Sequence, residues 1–137
     1  MERTLVLIKP DGVKRKLIGE IVGFYERKNL NIIALKMLKA SKKLAEDHYS
    51  QHRGKEYFNE LIEYITESRL CAMILEGTDA IAIVRNIHGN KDPKIAAMGT
   101  IRGIYADGTT RNLVHASDNS ENAKREIGIW FPEFENY

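Results

Sequence analysis

The chain has 137 residues, 43% hydrophobic and 29% charged, a size and balance that suit one compact domain spanning residues 1–137 and exclude a disordered or fibrous chain. Lys and Arg number 21 against 19 Asp and Glu, so the formal net charge of +2 is too small for nucleic-acid wrapping or membrane adhesion by bulk charge, and any anion site must be local. The single cysteine, Cys71, cannot close a disulfide within the chain, and the first apolar run is too short for a signal-peptide core or a membrane span, so a reducing, cytoplasmic setting is expected.

Thr4 to Ile8 is a short apolar run ended by Pro10-Asp11-Gly12, which predicts a buried strand entering a turn, with Lys9 at its exit. From Leu17 to Arg27 the apolar residues Ile18, Ile21, Val22 and Tyr25 fall at helical spacing, and Asn29 and Asn31 end the segment. Ile32 to Leu38 predicts a second strand, after which Ser41 is placed to cap a helix over Lys42 to Tyr49. Lys55 to Ile65 carries two adjacent apolar rows, Tyr57, Leu61 and Tyr64 beside Phe58, Ile62 and Ile65, and predicts another helix. Leu70 to Leu75 is a third strand, with Cys71 as a small core residue. Asp79 is placed to cap a helix carrying Ile81, Val84, Arg85 and Ile87, stopped by Gly89-Asn90-Lys91-Asp92-Pro93. Met98 to Arg111 holds three glycines and no sustained period, which predicts a long ordered loop containing Arg102. Asn112 to His115 is a short last strand, and Asp118-Asn119-Ser120-Glu121 resembles a capping box opening a helix toward Ile129. This order predicts an α+β sandwich and leaves the strand order open.

Neither common glycine-rich phosphate loop is present, so a phosphate site here needs side chains. The four histidines, His48, His52, His88 and His115, show no metal-ligand spacing, and protein-kinase and serine-hydrolase signatures are missing. What remains is Asn112-Leu113-Val114-His115-Ala116-Ser117-Asp118. There a histidine follows two apolar strand residues and precedes small residues that leave an imidazole accessible, close to a helix start whose amides favour an anion. A neutral imidazole is a competent nucleophile, yet a lone histidine is more often structural, and the segment alone leaves both readings open.

Asn112 to Asp118 resembles N-x-x-H-(G/A)-S-D, the active-site signature of nucleoside diphosphate kinases. Three further segments resemble the same family in the same order: Arg3-Thr4-Leu5 through Lys9-Pro10-Asp11-Gly12-Val13, Glu76-Gly77 through Arg85, and Gly99-Thr100-Ile101-Arg102-Gly103. The likeness runs from Arg3 to Phe131. It implies a ferredoxin-like α+β sandwich with a four-stranded antiparallel sheet, and reversible transfer of a γ-phosphoryl group between nucleotides through a phosphohistidine on His115. It also implies that Glu126 orients the ring and Ser117 supports the pair. Arg85 and Arg102 bind phosphate, Lys9 and Asn112 hold the ribose hydroxyls, and Tyr57, where relatives usually carry Phe, stacks on the base. Tyr49 and His52 match positions near the phosphates and the histidine, Mg²⁺ arrives mainly on the nucleotide phosphates, and the chain forms a homo-oligomer, a hexamer in preference to a tetramer.

Each role has a plainer alternative: a solvated helix face for Glu126, an N-cap for Ser117, surface positions for the arginines, and core packing for Tyr57. Four departures from the family pattern stand out. Lys91 occupies the usual place of a phosphate-touching threonine, so a charge replaces the hydroxyl or points into solvent; Glu67-Ser68-Arg69-Leu70 replaces S-G-P; Met98 replaces proline; and Ile104 stands where aspartate is typical. Two rival readings remain: an RNA-binding module, motivated by Lys14-Arg15-Lys16 but lacking an aromatic strand motif, and an inactive scaffold of the same fold.

Overall fold

A computed structural model describes residues 1–134. The apolar run near the start becomes β1 (Glu2–Ile8), an inner strand of a four-stranded antiparallel sheet of order β2-β3-β1-β4, with β2 (Asn31–Leu38), β3 (Leu70–Gly77) and β4 (Val114–Ala116). Leu5 to Ile8 are all buried because both faces of the sheet are covered. Val6 and Ile8 point to one core, with Ile21 and Tyr25 of α2 (Ile18–Arg27) and Ala80 and Val84 of α5 (Ala80–His88). Leu5 and Leu7 point to the other, with Ala45 of α3 (Lys42–His48), Ile62 and Ile65 of α4 (Phe58–Thr66) and Trp130 of α7 (Ser120–Trp130). The alternation follows from the two-residue period of a strand. The crossovers β1-α2-β2 and β3-α5-β4 each pass over one intervening strand, giving the ferredoxin-like sandwich.

Several local expectations are corrected. Pro10-Asp11-Gly12 is not a turn but opens the short helix α1 (Pro10–Lys14), where proline's missing N–H costs nothing at a helix start. Residues 98–111 are not wholly loop: α6 (Ile101–Tyr105) forms inside them, capped by Thr100 Oγ1, which accepts from Gly103 N at 3.0 Å. Asp79 sits at the N-cap position of α5 in a left-handed conformation and makes no cap bond; Glu2 Oε1, from β1, accepts from Ile81 N at 2.9 Å instead. The cap of α7 is Asn119, whose Oδ1 accepts from Asn122 N at 2.8 Å, one residue after the expected start. The last strand begins at Val114, because Leu113 has φ of 78° and breaks the extended backbone before it. The expected helix over Lys55 to Ile65 begins at Phe58, leaving Tyr57 at its cap position. Ser41 caps α3 as predicted, accepting from Leu44 N at 3.1 Å.

The turn after α5 brings two segments into close approach. Gly89 ends that helix at φ 83°, and a Cβ there would run into the side chain of Thr100. Gly89→Ala is therefore expected to destabilise the fold by about 1–3 kcal/mol through strain and overpacking. A denaturant midpoint equal to that of the wild type would contradict this close approach.

Candidate active site

β4 carries His115 out of the sheet at its register partner Leu7, and α7 returns to place Glu126 beside it. His115 Nε2 lies 2.8 Å from Glu126 Oε1, and Ser117 Oγ donates to the same oxygen at 2.7 Å. Ser117 is itself tied to β1, its N–H donating to Leu5 O at 3.1 Å and its hydroxyl accepting from Leu5 N at 3.3 Å. An ionised carboxylate only accepts, so Nε2 carries the ring proton and Nδ1 keeps its lone pair. The His115 side chain is 21% exposed, whereas that of Glu126 is buried, with Arg125 Nη2 at 3.7 Å from its second oxygen.

A second bonded group lies at the exit of β1. Lys9 Nζ donates to Asn112 Oδ1 at 2.9 Å, and Asn112 Nδ2 donates to Thr109 O at 3.0 Å, which fixes the orientation of the amide. Burial first, and then the Arg102 guanidinium, push Lys9 down from 10.5 to about 7, partly opposed by Asp11. Arg102 donates from Nε to Asn112 O at 3.3 Å, from Nη1 to Gly89 O at 2.9 Å and from Nη2 to Val114 O at 2.6 Å. Three of the five guanidinium N–H groups are thus used, and one remains on each terminal nitrogen, a forked pair suited to phosphate oxygens. Burial and the charge of Arg85 lower Arg102 to about 10, which still leaves it cationic at neutral pH. Arg85, on α5, is exposed and makes no hydrogen bond or ion pair among the described residues.

Of the remaining candidates, Tyr49, His52 and Tyr57 form one chain of contacts, and Lys91 lies beside Asn112. Tyr49 is buried, and its ring contacts His48 at 4.7 Å and His52 at 6.0 Å between centroids. Its hydroxyl is raised above the usual phenol range by burial and then by Glu126, so it stays protonated. His52 Nδ1 lies 2.8 Å from the hydroxyl of Tyr57, whose ring is 44% exposed at the start of α4; core packing is therefore not its role. Lys91 is exposed, and only its carbonyl meets the group, at 3.5 Å from Asn112 Nδ2.

Residue-by-residue reasoning missed His48, Trp130, Asp11 and Tyr64. Asp11 Oδ2 accepts from Leu113 N at 3.2 Å and its other oxygen accepts from the Tyr64 hydroxyl, holding the left-handed bend that precedes His115. The only local signal was the Pro10-Asp11-Gly12 punctuation. His48 meets the His115 ring edge to face at 4.5 Å and accepts at Nδ1 from Trp130 Nε1 at 3.0 Å. One ligand-capable atom each from His48, His115 and Glu126 lie within 4.8 Å of one another. They do not suit a resident cation, because Trp130 occupies one nitrogen of His48, the other then bears a proton, and Glu126 Oε1 already takes two hydrogen bonds.

The family model described as nucleoside diphosphate kinase matches residues 2–136. A relative described by the same words, from Sulfurisphaera tokodaii, is 51% identical over 98% of this chain and 92% of its own length. One from Mycobacterium tuberculosis is 55% identical over 96% and 97%. Among solved structures, an apo nucleoside diphosphate kinase from Encephalitozoon cuniculi superposes with a TM-score of 0.94 at 40% identity, covering 96% of this chain and 89% of that one. A halophilic nucleoside diphosphate kinase from Halobacterium salinarum, in complex with CDP, gives 0.94 at 41%, covering 99% and 92%.

Lys9 makes the ligand-free protein pH-sensitive in a definite direction. Its folded value of about 7 lies below its usual 10.5, so between those limits the unfolded chain keeps a proton that the folded chain has released. Stability contributed by this group therefore rises with pH across that window, and is constant below about 7, where both states are charged. Wild-type denaturant midpoints should gain on those of Lys9→Met as pH is raised through this range. Parallel curves would show that Lys9 is not depressed.

Proposed function

Because the chain belongs to the nucleoside diphosphate kinase family, whose reaction moves a terminal phosphoryl group between nucleotides, we propose that His115 is the group that carries it. The observation behind this reading is the bond from His115 Nε2 to buried Glu126, which leaves Nδ1 as the nucleophilic nitrogen. In the first half-reaction the Nδ1 lone pair forms a bond to the γ-phosphorus, the bond from phosphorus to the β,γ-bridging oxygen breaks, and the diphosphate leaves with that electron pair. A second diphosphate then attacks the phosphohistidine, the N–P bond breaks and its electrons return to Nδ1. Positive charge grows on the ring in the first step and is balanced by Glu126, which keeps the Nε2 proton in a hydrogen bond throughout. Ser117 holds the carboxylate in place.

Charge on the equatorial oxygens falls to the two free N–H groups of Arg102 and to the exposed guanidinium of Arg85. Lys9 and Asn112, bonded to each other, offer a donor and a donor-acceptor to ribose hydroxyls. Tyr57 presents its exposed ring to the base, and stacking accepts any base. The CDP complex of the Halobacterium relative supports acceptance of a pyrimidine here. Tyr49 and His52 flank the phosphates, and Lys91 adds a charge to the mouth of the site. Since Glu126 Oε1 is committed to His115 and Ser117, and Nδ1 of His48 to Trp130, Mg²⁺ fits as a companion of the nucleotide, held by phosphate oxygens and water, where it would offset charge on the leaving diphosphate.

The kinase domain spans residues 1–137, and we read it as a homo-oligomer. β2 is an edge strand with Leu35 55% and Met37 47% exposed, and Ile95, Met98 and Ile104 form a second exposed apolar set on other segments. A two-fold contact through one patch and a three-fold contact through the other would close a hexamer. No helix of the described residues is long and apolar enough to cross a membrane, and the thiol of Cys71 is free and buried; both support a cytoplasmic setting.

Mixed with ATP and Mg²⁺, the protein should gain an acid-labile, alkali-stable phosphate that GDP removes. His115→Ala should gain none. Glu126→Gln should slow labelling by roughly 10²-fold and Arg102→Ala by about 10²–10³-fold, as expected for lost orientation and lost charge stabilisation. Labelling of His115→Ala at the wild-type rate would overturn the assignment.

A further inference from the structure

His48 ends α3, is almost wholly buried, and takes no part in the transfer chemistry proposed for His115. Its ring meets that of His115 with centroids 4.5 Å apart and planes at 80°, and its Nδ1 accepts from Trp130 Nε1 at 3.0 Å. On the reading that His115 carries the phosphoryl group, we propose that His48 is its positioning residue: Trp130 fixes the tautomer of His48, and the edge-to-face contact between the two rings fixes the plane of the His115 ring.

The need is geometric. Because Nε2 lies close to the axis of the Cβ–Cγ bond, one hydrogen bond there restrains rotation of the imidazole only weakly, and the torsion joining ring to Cβ is broad. The edge-to-face contact supplies the missing constraint, and so sets the direction of the Nδ1 lone pair toward an in-line phosphorus. A misplacement of about 1 Å at a reacting atom costs on the order of 10²-fold in rate, so a plane left free would be felt.

Trp130 makes that contact constant. Its indole N–H only donates, so His48 must present a lone pair at Nδ1 and carry its proton at Nε2. Protonating Nδ1 would set two N–H groups against each other. The groups facing His48 are His115 from β4, Lys9 at the exit of β1, Arg125, Glu126 and Trp130 from α7, His52 from the 3-10 turn Ser50–His52, and its neighbour Tyr49. Burial, followed by the positive charges of His115, Lys9, Arg125 and His52, holds His48 well below the usual imidazole range. It therefore keeps one charge state and one tautomer across the working pH.

Single-turnover labelling with ATP and Mg²⁺ tests this. His48→Ala, or His48→Leu should the alanine variant fail to fold, is expected to label roughly 10–100-fold more slowly with half-saturating ATP changed by less than about 3-fold. The pair His48→Phe with Trp130→Phe keeps a flat ring edge and orphans no donor, and should recover most of the lost rate. Imidazole ¹⁵N spectra of the wild type should show His48 as the Nε2–H tautomer throughout the pH range of activity, and should show a mixture of neutral tautomers in Trp130→Phe. Alanine or leucine at 48 with the wild-type rate, a paired variant as slow as the alanine one, or a titrating His48 in the wild type would each overturn the proposal. A wild type that takes no label would instead defeat the assignment of His115.

Discussion

A buried carboxylate is the constraint on which the rest of the site depends. Glu126 lies on the inward stripe of α7 with Ala123 and Trp130, a row otherwise fit for hydrocarbon. Placing an ionised group there costs several kcal/mol unless it is met by donors. Ser117 and His115 both donate to one oxygen, and Arg125 stands 3.7 Å from the other. These donors reach it from β4, its exit and α7, so the carboxylate is satisfied only when β4 is paired with β1 and α7 is docked on the sheet. Folding the helix home and orienting the imidazole are therefore one event.

The two arginines divide their work in a way that their hydrogen bonds reveal. Arg102 is tied to the carbonyls of Gly89, Asn112 and Val114, which joins the end of α5, the bend before β4 and β4 itself. Such a guanidinium does not have to be ordered when a substrate binds, and a preorganised charge is worth more to a transition state than a mobile one. Arg85 is exposed and unbonded among the described residues, so on the proposed reading it is the adaptable partner, free to reorient toward a phosphate. Gly89 matters to both, since it ends the helix that carries Arg85 and lends its carbonyl to Arg102.

Much of the fold was legible in the residues, for a reason of length. α2, α7 and the inner strands β1 and β3 carry apolar spacing over seven or more residues, enough for a period to declare itself. The helices α1 and α6 have five residues each, less than two turns, and no pattern distinguishes them from turns. The cap of α5 escapes local reading because its acceptor, Glu2, lies 79 residues away. The site divides the same way. His115 stood out through its neighbours and its resemblance, but the bond that orients its ring joins it to Glu126 across a loop and the start of α7. The wall formed by His48 and Trp130 depends on a contact 82 residues apart, and neither residue carries a local sign of it.

Like charge ties Lys9, Arg102 and Arg85 together electrostatically. Burial and then Arg102 depress Lys9, and burial and then Arg85 depress Arg102, so like charge adds to the cost of burial at both in the ligand-free fold. A single negative charge placed near one of them would leave the other repulsions in force. On the proposed reading, a chain of phosphates carrying several charges would meet both arginines, with the ribose beside Lys9, and offset repulsions that one charge leaves in force. Lys9 adds a further condition, because it bonds Asn112 rather than a carboxylate and the charge of Asp11 only partly opposes its depression. On the proposed reading, a ribose hydroxyl accepting from Lys9 and phosphate charge nearby would both favour its protonated form, so the sugar and the charged end of the ligand would reinforce each other at the same buried ammonium.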